Sequence, residues 1–195
     1  MCISLGSITD KIVGYFLGFV SLMQGVEYIL WTHLICDNYN KLWSMIGMIL
    51  NHLQPIVLGI LVLVLNPNNS HRNWVIAMLL FYTAVTIPYS AQFVSMRSPQ
   101  CTIVGEKDAH LMWKWNTMNY SSTMYLIFFI TICGLCLVGF PNFKHGFYAM
   151  LTASITYATS LIFYPHAVAG ALWCYYTAYL PILYFFSRIM LKHNY

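Results

Sequence analysis

The sequence predicts an all-α fold, a polytopic transmembrane bundle of six spans formed by one domain over residues 1–195. Three observations carry that reading. The 195-residue chain is 59% hydrophobic and only 7% charged, whereas an ordinary soluble domain carries about 25% charged residues. It has too little polar surface to face water on all sides, so its main solvent is lipid. Six apolar stretches approach or exceed the ~20 residues that a helix needs to cross the bilayer core. They are too long and too continuously apolar for the alternating strands of a closed barrel, the only other way to satisfy the backbone in lipid.

The first span covers about residues 12–35 and contains Gln24-Gly-Val-Glu27-Tyr-Ile-Leu-Trp31. It is longer than the apolar core of a cleaved signal peptide, typically ~7 to 15 residues. The second, 42–66, follows the polar turn Asp37-Asn38-Tyr39-Asn40-Lys41 and holds Asn51, His52, Gln54 and Pro55. Asn66-Pro67-Asn68-Asn69 separates it from the third, 73–97, which runs through Thr86, Pro88, Tyr89, Ser90 and Gln92. A charged loop leads to the fourth, 118–140. The fifth, 146–164, is the shortest and contains Thr156, Tyr157 and Ser160. The sixth, 168–191, carries Trp173, Cys174, Tyr175, Tyr176 and Pro181. Aromatics make up 17% of the chain and crowd the segment ends, as interfacial Trp and Tyr do.

An even number of spans puts both termini on one side. That side carries Lys11, Arg72, Lys144, Arg188 and Lys192, against Lys41, Arg97, Lys107 and Lys114 on the other. The positive-inside bias therefore places both termini in the cytosol. Cys36 and Cys101 then lie in two outward loops, where they either pair in an oxidising compartment or stay as two thiols. Cys133 and Cys136 are spaced C-x-x-C inside an apolar span, with no second pair for zinc, and read as packing residues.

Glu27 is the only carboxylate within the predicted spans. A charge in hydrocarbon costs about 2.5 to 3.5 kcal/mol on insertion scales, so such a residue is a functional candidate by default. Gln24, Glu27 and Trp31, with Tyr28 beside them, fall at helical spacings that share one face. The short first loop makes a hairpin in which Glu27 lies at similar depth to Asn51 and His52. This predicts a Glu–His or Glu–Asn pair, because an unpaired buried carboxylate takes up a proton instead. The predicted ion- or substrate-binding layer consists of Gln24, Glu27, Asn51, His52, Gln54, Tyr89, Gln92, Tyr157 and Tyr176, in the outer half of the membrane. The plainer reading of its hydroxyls and amides is helix–helix glue, worth up to ~2 kcal/mol each.

Several chemistries lack their residues. No span has a central lysine for a retinal Schiff base, and no helix is rich in arginine as a voltage sensor would be. His33 and His52 differ in depth, which argues against a bis-histidine haem, and no zinc-protease spacing occurs. No cofactor and no metal are expected. The formal charge of +4 is spread over short loops and does not suggest nucleic acid. The expected partners are the lipid bilayer and, beyond it, a second copy or another membrane protein. The leading expectation is a small transporter or channel for a proton, an ion or a small solute. The alternatives are a non-enzymatic structural or organising membrane protein and, third, a lipid-acting intramembrane enzyme.

The string Met23-Gln-Gly-Val-Glu27-Tyr-Ile-Leu-Trp31, then Leu53-Gln-Pro55, then Leu172-Trp-Cys-Tyr-Tyr176 with Pro181, resembles a family of polytopic membrane proteins encoded by large DNA viruses. The resemblance covers most of the chain. It implies a host-membrane or virion-membrane location, and it implies no particular activity.

Overall fold

The computed structural model describes residues 6–105, 110–163 and 166–179. Six helices follow in chain order: α1 (Ile8–Thr32), α2 (Asn38–Leu65), α3 (Arg72–Ser95), α4 (Ser121–Gly139), α5 (Phe143–Phe163) and α6 (His166–Ala178). The first five are long and apolar enough to cross a membrane, as befits a multi-pass integral membrane protein. The sixth predicted span is described only over its first half; Pro181 and the rest of 168–191 lie outside the described residues.

Local chemistry sets the helix boundaries. Ser7 accepts from the Asp10 backbone N–H at 3.0 Å, and the Asp10 carboxylate reaches back to the Ser7 backbone, forming a capping box. Helix α1 therefore starts earlier than expected and takes in a second, buried carboxylate. Asp10 lies in the first turn, where the helix dipole favours negative charge. Asp37 caps α2, its Oδ1 accepting from the N–H groups of Tyr39 and Asn40 at 3.0 Å each. Pro55 sits inside α2 and leaves the Asn51 carbonyl without its helical donor. One residue on, the Tyr82 hydroxyl of α3 donates to the His52 carbonyl at 2.9 Å.

α1 and α2 form the most extensive helix pair, and α2 also packs on α3 and α4. α5 lies against α4, and α6 closes onto α5 and back onto α1. Glycines allow close approach at several helix contacts. Gly47 on α2 faces Val26 and Trp115, and a Cβ on Gly146 of α5 would come within 2.2 Å of the Cys136 carbonyl oxygen on α4. At the turn end of the α2–α3 hairpin, the Asn69 and Asn66 amides donate to the Val138 and Gly139 carbonyls at 2.9 and 3.2 Å. They satisfy orphan carbonyls at the end of α4.

The connection between α3 and α4 differs from the predicted loop. It contains a short antiparallel hairpin, β1 (Ile103–Val104) with β2 (Leu111–Met112), pairing Ile103 with Met112. A 3₁₀ turn follows over Lys114–Thr117. Trp113 and Trp115 are fully buried, and Leu111 and Asn116 nearly so. The described residues of this connection are part of the core, and its two short strands are a local addition to a fold that is all-α.

Candidate functional site

The layer around Glu27 is assembled by the antiparallel α1–α2 hairpin and closed by α6. In a helix every side chain leans toward the N-terminus. Glu27, near the end of α1, leans deeper into the bundle; Asn51 and Gln54, which enter α2 from the opposite direction, lean back toward it. Gln54 reaches the Cys174 side chain on α6, and Glu27 lies within electrostatic range of the same group. Glu27, Asn51 and Gln54 are all buried, at 8%, 2% and 2% exposure.

The expected partner for Glu27 is not formed. Among the described residues, its buried Oε1 atom has no hydrogen-bond partner, and neither has the buried Asn51 side-chain nitrogen. His52 points the other way, toward α3. Its Nδ1 lies 2.9 Å from the Ser90 hydroxyl, and its ring meets Tyr89 edge-on at 5.7 Å. The reason is angular: Asn51 and His52 are adjacent in sequence, so they point about 100° apart on a 3.6-residue helix. Depth alone could not decide which of them faces α1. The side-chain nitrogen of Gln24 is also buried without a partner.

A second polar cluster is built on the other helices. The Tyr89 hydroxyl donates to the Trp115 carbonyl at 2.5 Å, and the Tyr125 hydroxyl donates to the Asn116 side-chain oxygen. Tyr157 stacks on Phe129 at 4.9 Å and meets Trp173 edge-on; the Trp173 indole N–H donates to the Thr156 hydroxyl at 2.9 Å. A Cβ on Gly170 would come within 2.7 Å of the Tyr125 hydroxyl and 3.2 Å of Trp113, so α6 is pressed onto this cluster.

The predicted layer is thus gathered in part. Glu27, Asn51, Gln54, His52, Tyr89 and Tyr157 are buried, and Gln24 is half-buried. Gln92 is exposed: the buried stripe of α3 is Tyr82, Thr86, Tyr89 and Phe93, and Gln92 lies off it. Tyr28 and Trp31 are likewise exposed, at 71% and 43%, while α1 buries Val20, Met23, Glu27 and Leu30. Tyr176 is half-buried, with its ring against Tyr175. Sequence reasoning missed Trp113, Trp115, Asn116 and Tyr125. The signal was Trp113-x-Trp115 in a nominal loop, where two indoles two residues apart are costly to leave in water.

Cys36 and Cys101 are joined by a disulfide, with Cα atoms 5.5 Å apart. Beside it, the Thr102 N–H donates to Asn40 Oδ1 at 3.0 Å, the Asn40 amide donates to the Thr102 and His33 carbonyls, and Ser44 bonds the Thr102 hydroxyl at 2.8 Å. The α3–α4 connection is therefore fastened both covalently and by buried hydrogen bonds to the start of α2.

Compared with known proteins, the chain matches no protein-family model, no curated protein and no solved structure.

Proposed function

We propose that this multi-pass membrane protein passes a proton or a small cation, and that Glu27 is the group that binds it. The observation that carries the reading is the buried Glu27 carboxylate, whose Oε1 has no hydrogen-bond donor among the described residues. An unsatisfied buried polar atom costs about 1 to 3 kcal/mol, more for a charged group. A carboxylate kept in a membrane for structure alone would be expected to have its oxygens satisfied by neighbouring helices. Glu27 instead has a buried oxygen with no donor among the described residues. The side-chain nitrogens of Gln24, Asn51 and Gln54 are buried without a partner there as well, which suits a group whose partner arrives and leaves. The protonated form needs no counter-ion, and the ionised form has a compact cation as its natural counter-ion.

In this reading the Cys36–Cys101 end faces the oxidising side of the membrane, because disulfides persist there. Both termini are then cytosolic, in agreement with the distribution of Lys and Arg. The membrane itself, by the resemblance above, is that of a host cell or a virion.

The test is flux into liposomes containing the purified full chain, driven by a potassium diffusion potential and read with a trapped pH dye or a monovalent-cation dye. Wild type should conduct one of the two, and Glu27→Gln, which keeps size and removes the charge, should lose at least ~90% of the rate, since removal of a required group typically costs well over tenfold. Equal flux in the two proteins, or none above empty liposomes in wild type, rejects the proposal.

A further inference from the structure

The α3–α4 connection packs beside the Glu27 layer through Trp113 and Trp115. Trp115 lies over Gly47 of α2 and beside Val26 of α1, one residue from Glu27. Trp113 stacks on Trp115 at 4.8 Å and packs against Gly170 of α6, one turn before Cys174. The two stacked indoles therefore bridge α2 and α6 and lie near Val26 of α1, beside Glu27. Tyr89 and Phe93 of α3 hold Trp115 from behind, the first by the hydrogen bond to its carbonyl and the second edge-on at 5.9 Å. The segment begins at Cys101, which is bonded to Cys36 just beyond the end of α1. Cys36 is exposed at that end, whereas Cys101 is buried.

We propose that residues 101–105 and 110–117 of the α3–α4 connection form a plug over the Glu27 layer, seated by Trp113 and Trp115 and locked by the Cys36–Cys101 disulfide, and that a dithiol reductant in the adjoining aqueous phase unlocks it. One thiolate of the reductant attacks the Cys36 sulfur and the Cys101 thiolate leaves. The second thiolate then resolves the mixed disulfide and releases Cys36. The S–S bond is reduced by two electrons to two protein thiols, two protons are taken up, and the reductant becomes a disulfide. Unlocking does not expel the plug, because buried indoles and the Asn40–Ser44–Thr102 bonds still favour the closed position. It removes the tether that returns the segment to its seat after each opening, and so raises the frequency and duration of openings. As regulation of passage this rests on the function proposed above; as a seal it stands without it.

The test therefore measures access and not flux. The full chain in lipid nanodiscs is treated with a membrane-impermeant cationic methanethiosulfonate, and modification of Cys174, beside Gln54 and near Glu27, is followed by peptide mass spectrometry. Labelling should be slow in oxidised wild type. It should rise roughly tenfold or more in Cys36→Ser/Cys101→Ser, as expected from loss of a tethering effective concentration, and also in Trp115→Ala with the disulfide intact. Should the double variant fail to purify as a single species, wild type reduced with a dithiol takes its place, since peptide mapping separates Cys174 from the two released thiols. Wild-type rates in both the unlocked protein and Trp115→Ala would overturn the plug. Acceleration in Trp115→Ala alone would overturn the lock.

Discussion

At the residue scale, Glu27 is where the proposed passage of a proton or cation can be told from mere packing. A carboxylate that closes a structural network is missed when it is removed; one held without partners is a burden on the fold. Glu27→Met keeps volume and flexibility and removes the polar atoms. We expect it to raise the thermal midpoint in detergent while abolishing flux, the usual opposition between stability and activity at a functional site. A lowered midpoint would assign Glu27 to the structural alternative. Gly146 makes a separate prediction. Its missing Cβ leaves room for the Cys136 carbonyl of α4, and backbone cannot move aside as a flexible side chain can. Gly146→Ala should cost about 1 to 3 kcal/mol, the usual range for overpacking, read as a fall in the denaturation midpoint.

At the element scale, α2 is the organiser. It meets α1, α3 and α4, and its N-terminus anchors the plug segment through Asn40 and Ser44. Its cap, Asp37, accepts from the Asn40 and Tyr39 backbone N–H groups and sits 2.9 Å from the His33 ring. The Asn40 N–H and then His33 hold the Asp37 carboxyl below its ordinary range. Because the folded state lowers this group's pKa, the stabilisation is fully present above the ordinary Asp value of about 3.9. It is lost as the pH falls through the lower folded value. Asp37→Ala should therefore lower the melting temperature at neutral pH, and the gap to wild type should close under strongly acid conditions. A gap that stays constant with pH would mean that the Asp37 charge contributes nothing.

At the scale of the whole molecule, the spans were legible in the sequence and their orientation within the bundle was less so. Long apolar runs report burial in lipid, an intrinsic property of each segment, and five of them emerge as helices within a few residues of the expected ends. Which face of a helix points inward is harder to read, because lipid-facing and core-facing residues are both apolar. That is why Gln92, predicted in the polar layer, lies outside, why Tyr28 and Trp31 are exposed although they share helical spacings with Glu27, and why His52, one of two predicted partners of Glu27, bonds Ser90 on α3 instead. Glu27, Asn51 and Gln54 were legible because polar atoms in a span have few other places to go. The plug was not legible. Its burial depends on contacts with Gly47, Gly170 and Tyr89, residues far from it in sequence, and its hairpin is too short for periodicity to show.

The central claim is that Glu27 exchanges a proton or a cation with water. The most direct measurement is an infrared titration of the protein in lipid, taking wild type minus Glu27→Gln to isolate one carboxyl band. This band should interconvert between its protonated and ionised forms as pH or cation concentration is changed in the bathing solution. A band that stays in one form throughout, in a protein shown to be folded, would contradict it.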